Sequence, residues 1–257
     1  MVFSIVGLKF NFESIQVRCF IHPFFLSILL LLPLRAAAWQ DEAPRRPVAR
    51  LATYNVHGGL EASPRAVGRF LAGLNLDLLS LQEVPDQDYL AMVAAETGLD
   101  YFTPTDRFKV VLARQPLEGV ERIPLPTGRG VIRATAMLRG VPVSIYGIHN
   151  SWDQSGDREN RHIVNEILPA DANPRKILLG DFNDEHYSTQ NIILESALND
   201  AWTDLGVRPG ERTTWPATGF AGAEGHQLID LLMYDPAGGM FPVDVRIPKL
   251  APVLSDH

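Results

Sequence analysis

The chain has 257 residues, is 46% hydrophobic and 21% charged, and carries a formal net charge of −7 with a mean hydropathy near zero. Such a composition can fill a sizeable core and is ordinary for a globular protein. It shows no repeat and no low-complexity segment, which excludes solenoids and linkers, and its acidity disfavours a broad footprint on a phosphate backbone.

The first 38 residues differ from the rest. Cys19 to Leu34 reads CFIHPFFLSILLLLPL, an apolar run of 16 residues with Lys9 and Arg18 before it and Arg35-Ala36-Ala37-Ala38 after it. A basic front, a short apolar middle and an Ala-x-Ala end predict an export signal over 1–38 and a secreted or periplasmic protein with no stable membrane span after processing. The alternative is a retained anchor, for which about 18–20 apolar residues are needed. Removal takes Lys9, Arg18, Arg35 and Glu13, leaving 20 basic and 29 acidic residues and a net charge of −9. It also takes Cys19, the sole cysteine, so disulfide and thiol chemistry leave with it.

Residues 39–47, polar and proline-rich, predict a flexible lead-in. VARLATYNV, from Val48, is a strand that ends before Gly58-Gly59. Ser63-Pro64 opens a helix that closes near Gly73, with a capping serine and proline at the first position. LDLLSLQEV is almost continuously apolar and of strand length, which predicts a buried strand. DQDYLAMVAAETGL has helical spacing and a stop at Gly98, and KVVLARQ is a strand. ATAMLRG and VPVSIYGIHN are two strands joined near Arg139-Gly140. DRENRHIVNEILPA is helical; RKILLGDFN and IDLLMYD are buried strands. Strands alternate with helices around one hairpin, so the fold class is α/β with a mixed sheet covered by helices.

Strand ends carry the chemistry. Asn55 follows ATY, Glu83 follows LLSLQ, His149 follows SIYGI, and Asp181 and Asn183 follow KILLG. Asp230 lies in QLIDLLMYD, and Asp256 and His257 close the chain. Each has a structural reading too: an Asx-turn at Asn55, a solvated exit at Glu83, a satisfied histidine at His149, a turn at Asp-Phe-Asn, a frayed tail at the terminus. Asp230 resists this, because a carboxylate in an apolar strand is costly unless it is paired or binds a cation. Polar groups recurring at strand ends, where α/β sheets present their sites, point to one shared site.

TYNVHGG, DLLSLQEV, IYGIHN, LLGDFND, QLIDLLMYD and LSDH, in this order, resemble the endonuclease/exonuclease/phosphatase family of DNase I-like metal-dependent phosphoesterases, over residues 48–257. The resemblance implies a four-layer α/β/β/α sandwich of two packed mixed sheets, with the site on one edge. It implies Glu83 as principal Mg²⁺ or Mn²⁺ ligand, with Asn55 beside it and Asp256 completing the acidic side. It implies that Asp181 and Asn183 position the scissile phosphate and attacking water, that Asp230 orients His257, and that His149 contacts a phosphate oxygen or assists the leaving group. Water then attacks phosphorus in line.

Three departures accompany the match. Leu228 stands where many members have a basic residue, with Gln227 and His226 nearby; His57 stands where some nucleases place a further acidic ligand; and the chain stops where the family continues into a last strand, which residues 48–257 are therefore expected to lack. The expected activity is that of a monomeric exported phosphoesterase whose substrate is a nucleic acid, a phospholipid head group or an inositol phosphate. An extracellular nuclease is the narrower alternative, with Arg122, Arg129, Arg133 and Arg139 as its cationic cluster. A non-catalytic binding protein with a decayed site is the alternative from another class.

Overall fold

A computed structural model describes residues 4–10, 48–106, 109–185, 187–208, 211–216, 227–248 and 253–257. The first sheet contains β1 (Ser4–Phe10), β2 (Val48–Asn55), β3 (Leu78–Gln82), β4 (Tyr101–Phe102), β5 (Val110–Ala113) and, from further along the chain, Met240–Arg246. The second contains β6 (Leu117–Pro124), β7 (Gly130–Leu138), β8 (Val141–His149), β9 (Lys176–Asp181), β10 (Asn199–Asp200) and β11 (Asp230–Tyr234). With Met240–Arg246 numbered β12, the orders are β12-β1-β2-β3-β5-β4 and β10-β11-β9-β8-β7-β6. β2 with β3 and β8 with β9 run parallel and the other pairs antiparallel, so both sheets are mixed.

The near-continuous apolar runs reflect strands buried on both faces. In β2, Leu51 points between the sheets while Ala52 and Tyr54 point outward; in β3, Leu78 points in and Leu79 and Leu81 out. In β8, Ile145 points in and Tyr146 and Ile148 out; in β9, Ile177 and Leu179 point in and Leu178 out. Successive side chains alternate faces, so three cores form: one beneath each helical layer and one between the sheets. The expected four-layer α/β/β/α sandwich is the fold.

Helix α1 (Pro64–Ala72) starts where Ser63 Oγ accepts from Ala66 N. Helix α2 (Gln87–Thr97) starts on an Asp86 cap and ends at left-handed Gly98. Both lie on the outer face of the first sheet. Helix α3 (Ser155–His162) continues through a π turn at Ile163–Ile167 and, with Trp202, covers the second. The Arg139-Gly140 hairpin joins β7 to β8, both residues with positive φ, as a tight right-twisted turn requires.

Five strands escaped the sequence reading: β1, the two-residue β4 and β10, and the longer β6 and β12. β6, LEGVERIP, is an exposed edge strand without an apolar face, and β12, MFPVDVR, carries a proline and polar residues. β1 lies within 1–38, the segment expected to be an export signal. It is paired on both sides, with Lys9 opposite Val48 on β2 and Phe241 on β12, and Leu8 is buried in the inter-sheet core. The remainder of that segment from residue 11, and the lead-in 39–47, lie outside the described residues. Among the described residues no helix is long and apolar enough to cross a membrane.

Candidate active site

The two sheets bring their polar strand ends to one edge. Asn55 ends β2 and Glu83 follows β3, on the first sheet; His149 ends β8, Asp181 ends β9 and Asp230 begins β11, on the second. His149 and Asp181 are register partners, as are Asp181 and Asp230, so β9 holds the centre. Gly180 makes that register attainable, since a Cβ there would lie 2.2 Å from Ile148 O.

Asp181 Oδ2 is the hub. Asn55 Nδ2 donates to it at 3.0 Å, and the Nε2 atoms of His257 and His149 lie 3.6 and 3.7 Å away. Asp181 Oδ1 accepts from Asn183 N at 2.8 Å. Burial raises the carboxyl of Asp181 above the ordinary carboxylate range, although the two imidazoles oppose that shift.

Asn55 does more than sequence spacing implied. Its Oδ1 accepts from His57 N, so the Asx-turn reading holds, and its Nδ2 also donates to Glu83 Oε1 at 2.9 Å. The amide therefore clamps a carboxylate from each sheet. Glu83 has φ +55°, Asn183 +54° and His57 +46°, all in the left-handed region that non-glycine residues seldom occupy. Strain of this kind gathers at functional sites, where surrounding bonds impose it. Here Gly58 N donates to Glu83 O, and Asn183 Nδ2 to Asn150 O.

The chain terminus is held in the site. Ser255 Oγ donates to Asn55 O at 2.7 Å and accepts from His257 N, which staples the last residues to the end of β2. His257 is 4% exposed, and its Nδ1 lies 2.9 Å from Asp230 Oδ2. Burial opposes its charge, but Asp230 and Asp181 outweigh that and hold the imidazolium up to about 10. The frayed-tail reading does not describe these residues. His149 goes the opposite way: burial, with Arg129 and Lys109 close by, lowers it to about 4 despite Asp181, leaving a neutral imidazole at neutral pH.

Asp256 has Oδ2 accepting from Trp215 Nε1 at 3.2 Å and Oδ1 3.5 Å from His57 Nδ1. His57 also meets Glu61 at 2.7 Å, so it links an acidic partner to the first loop. Among the described residues no group of three or more His, Cys, Asp or Glu side chains forms a ready metal cage. Mg²⁺ does not require one; it keeps several waters and takes one or two carboxylates with substrate phosphates. Glu83, 37% exposed at the side chain, is a carboxylate that fits this demand, and Asp256 is a second. Asn55 presents Nδ2 to Glu83 and keeps Oδ1 on His57 N, so in this arrangement it positions the Glu83 carboxylate rather than adding an oxygen beside it.

The arginines divide. Arg133 is paired with Glu121 and Asp171, and Arg139 with Asp77, both structural. Arg129 alone of the four bonds a site strand, its Nη1 donating to His149 O at 2.9 Å, and Arg122 supports it by donating to Arg129 O. Sequence spacing gave no role to Ser255 or Asn150, although both lie inside quoted motifs. It gave no signal for Thr214, whose Oγ1 accepts from Ile229 N and Asp230 N. Leu228 is a core residue, and His226 lies outside the described residues.

A two-sheet sandwich with carboxylates, amides and imidazoles converging at one edge defines the class of the DNase I-like hydrolases. The chain matches the profile of the Endonuclease/Exonuclease/phosphatase family over residues 52–257 and belongs to that family. Its members are hydrolases acting on phosphoester bonds, and they generally use divalent metals. No curated protein matches the chain in sequence. Among solved structures, sphingomyelinase C from Streptomyces griseocarneus is 17% identical with a TM-score of 0.56, covering 73% of this chain and 83% of its own. D. rerio TDP2, complexed with a single strand DNA product, is 20% identical with a TM-score of 0.58, covering 72% and 82%. A functionally unknown conserved protein from Enterococcus faecalis V583 is 14% identical with a TM-score of 0.57, covering 78% and 99%. These likenesses bear on the fold.

Proposed function

We propose that the chain is an exported, divalent-cation-dependent phosphoesterase that hydrolyses a phosphodiester or phosphomonoester by in-line attack of water. The observation that carries this reading is the Asp181 Oδ2 hub, within 3.7 Å of Asn55 Nδ2, His257 Nε2 and His149 Nε2. A buried carboxylate among three nitrogen groups can orient a water and hold its proton. The His257 imidazolium, kept charged by Asp230, offsets charge growing on the phosphate oxygens. Neutral His149 donates to a phosphate or leaving-group oxygen. Asn55 fixes Glu83 and Asp181 relative to each other, and Asn183 fixes the turn after β9.

The cation would be held by the Glu83 carboxylate, which Asn55 Nδ2 positions, together with Asp256, and when bound it would neutralise negative charge at the phosphate. The test is turnover of bis-p-nitrophenyl phosphate, plasmid DNA, RNA, sphingomyelin and inositol phosphates with Mg²⁺, Mn²⁺ or EDTA. Cation-dependent hydrolysis of at least one is expected. Hydrolysis of none by folded protein would favour the binding-protein reading.

A further inference from the structure

The most exposed large apolar side chains are not scattered. Trp152 is 77% exposed, Leu60 75%, Ile192 56% and Tyr187 50%, the four highest values among the described large hydrophobic residues. All four lie on the loops that leave the site strands: Leu60 after β2, Trp152 after β8, Tyr187 and Ile192 after β9. Their backbones are fastened. Asn160 Nδ2 donates to Gln190 O and Asn191 Oδ1, while Asn191 Nδ2 donates to Asp184 O and Glu185 O. Ser151 N and Oγ both donate to the buried Glu159 carboxylate. The loops after β8 and β9 are thus tied, and all four side chains are open to solvent on loops that leave the strand ends carrying the site. An apolar rim of this kind marks a contact with another phase or molecule.

Charge selects the occupant. Segments 57–63, 151–157 and 184–192 carry Glu61, Asp153, Asp157, Asp184 and Glu185 and no lysine or arginine; Asp157 is paired with Arg161 further along α3, which leaves the other four to set the sign of the loops. Nucleic acid binding draws on lysine and arginine along the backbone and on planar side chains for stacking, and two of these four residues are aliphatic. Trp and Tyr with Leu and Ile suit the boundary between lipid head groups and acyl chains. Acidic loops repel an anionic surface but attract the ammonium end of a zwitterionic head group. Arg129, at the His149 strand end, supplies the opposite sign where the phosphate would lie.

We propose that Leu60, Trp152, Tyr187 and Ile192 dock the site mouth onto a phosphocholine bilayer, so that the substrate is a phosphodiester with a cationic head group taken from a lipid–water interface. This rests on the phosphoesterase reading above for its chemistry, and not for its binding step.

The test uses the full chain and vesicles of phosphatidylcholine and sphingomyelin in equal parts, with brominated acyl chains as the quencher. Tryptophan quenching in the parent should exceed that in Trp152→Phe, the difference reporting Trp152 apart from Trp39, Trp202 and Trp215. Hydrolysis of vesicle lipid by Leu60→Ser/Trp152→Ser should fall by about tenfold or more, the effect of losing one buried apolar side chain. Turnover of bis-p-nitrophenyl phosphate should not change. No Trp152-dependent quenching by lipid, quenching by a single-stranded oligonucleotide in its place, or equal loss in both activity assays would each overturn the proposal. A parent that hydrolyses nothing but shows Trp152-dependent quenching would remove the phosphoesterase reading and leave the docking step standing.

Discussion

The roles proposed for Glu83 and His257 differ, and so do their environments. Glu83 is partly open to solvent in a strained backbone conformation, which suits a group that reaches a hydrated cation. Glu83→Gln keeps the shape and removes the charge, so turnover should fall by about 10²-fold or more and recover partly at high Mg²⁺. An unchanged rate and metal dependence would contradict the ligand assignment. His257 is buried against Asp230, so its removal has a structural cost that a chain end ordinarily lacks. His257→Ala should lower the rate by about 10²–10⁴-fold and also lower the melting temperature, because Asp230 is left as a buried, uncompensated charge. Asp230→Asn should produce a loss of rate that does not add to it. The pH dependence has a definite sign. The folded value of His257, about 10, exceeds its ordinary 6.5, so the pair's stabilisation is complete below pH 6.5 and is lost as pH rises through about 10. Denaturant unfolding from pH 6.5 to 10 in EDTA should therefore show parent and His257→Asn converging with rising pH. A constant difference across that range would show that the imidazole is not charged in the folded protein.

At the level of elements, β9 sets the spacing of the site. It lies between β8 and β11 and places Asp181 opposite both His149 and Asp230. Gly180 allows the close approach, and Gly180→Ala would push against Ile148 O at 2.2 Å. Destabilisation of roughly 1–3 kcal/mol is expected, together with a loss of turnover in the protein that remains folded, since the displaced strand carries Asp181. Calorimetry paired with activity per folded molecule checks both. A stability loss with full activity would mean that the site tolerates a shifted β9. The proposed loop rim shows the same dependence on elements: Trp152 and Tyr187 follow β8 and β9, so the strands that carry the candidate catalytic groups also lead into the exposed apolar side chains.

For the whole molecule, residues 1–38 carry two competing demands. Their composition asks for a leader that is cut off near Ala38, while Ser4–Phe10 fills a lane between β2 and β12. Both demands cannot be met by one mature chain. We expect the chain from residue 39 to melt below the full chain, because it loses the buried Leu8, worth about 1.5–3 kcal/mol, and opens two strand edges. Intact mass of the exported protein decides which form acts: a mass without residues 1–38 means the lane is vacated after processing, and a mass including them means the segment is kept.

The amino-acid pattern by itself determined the class, the order of the main elements and the identity of the polar strand ends. Period-2 burial on both faces, the Ser63-Pro64 start, the Gly98 stop and the motifs from TYNVHGG to LSDH are local properties, and local properties survive in one dimension. What tertiary structure decided is everything that joins distant residues. Asn55 clamps Glu83 and Asp181 across two sheets, Ser255 staples the terminus to β2, and Arg129 separates from Arg133 and Arg139. The edge strands β6 and β12 were hidden because an edge need not carry an apolar face. The apolar rim was hidden because Leu60, Trp152, Tyr187 and Ile192 follow no period in sequence. Their loops are gathered only because parallel β8 and β9, packed against β2, end at the same edge.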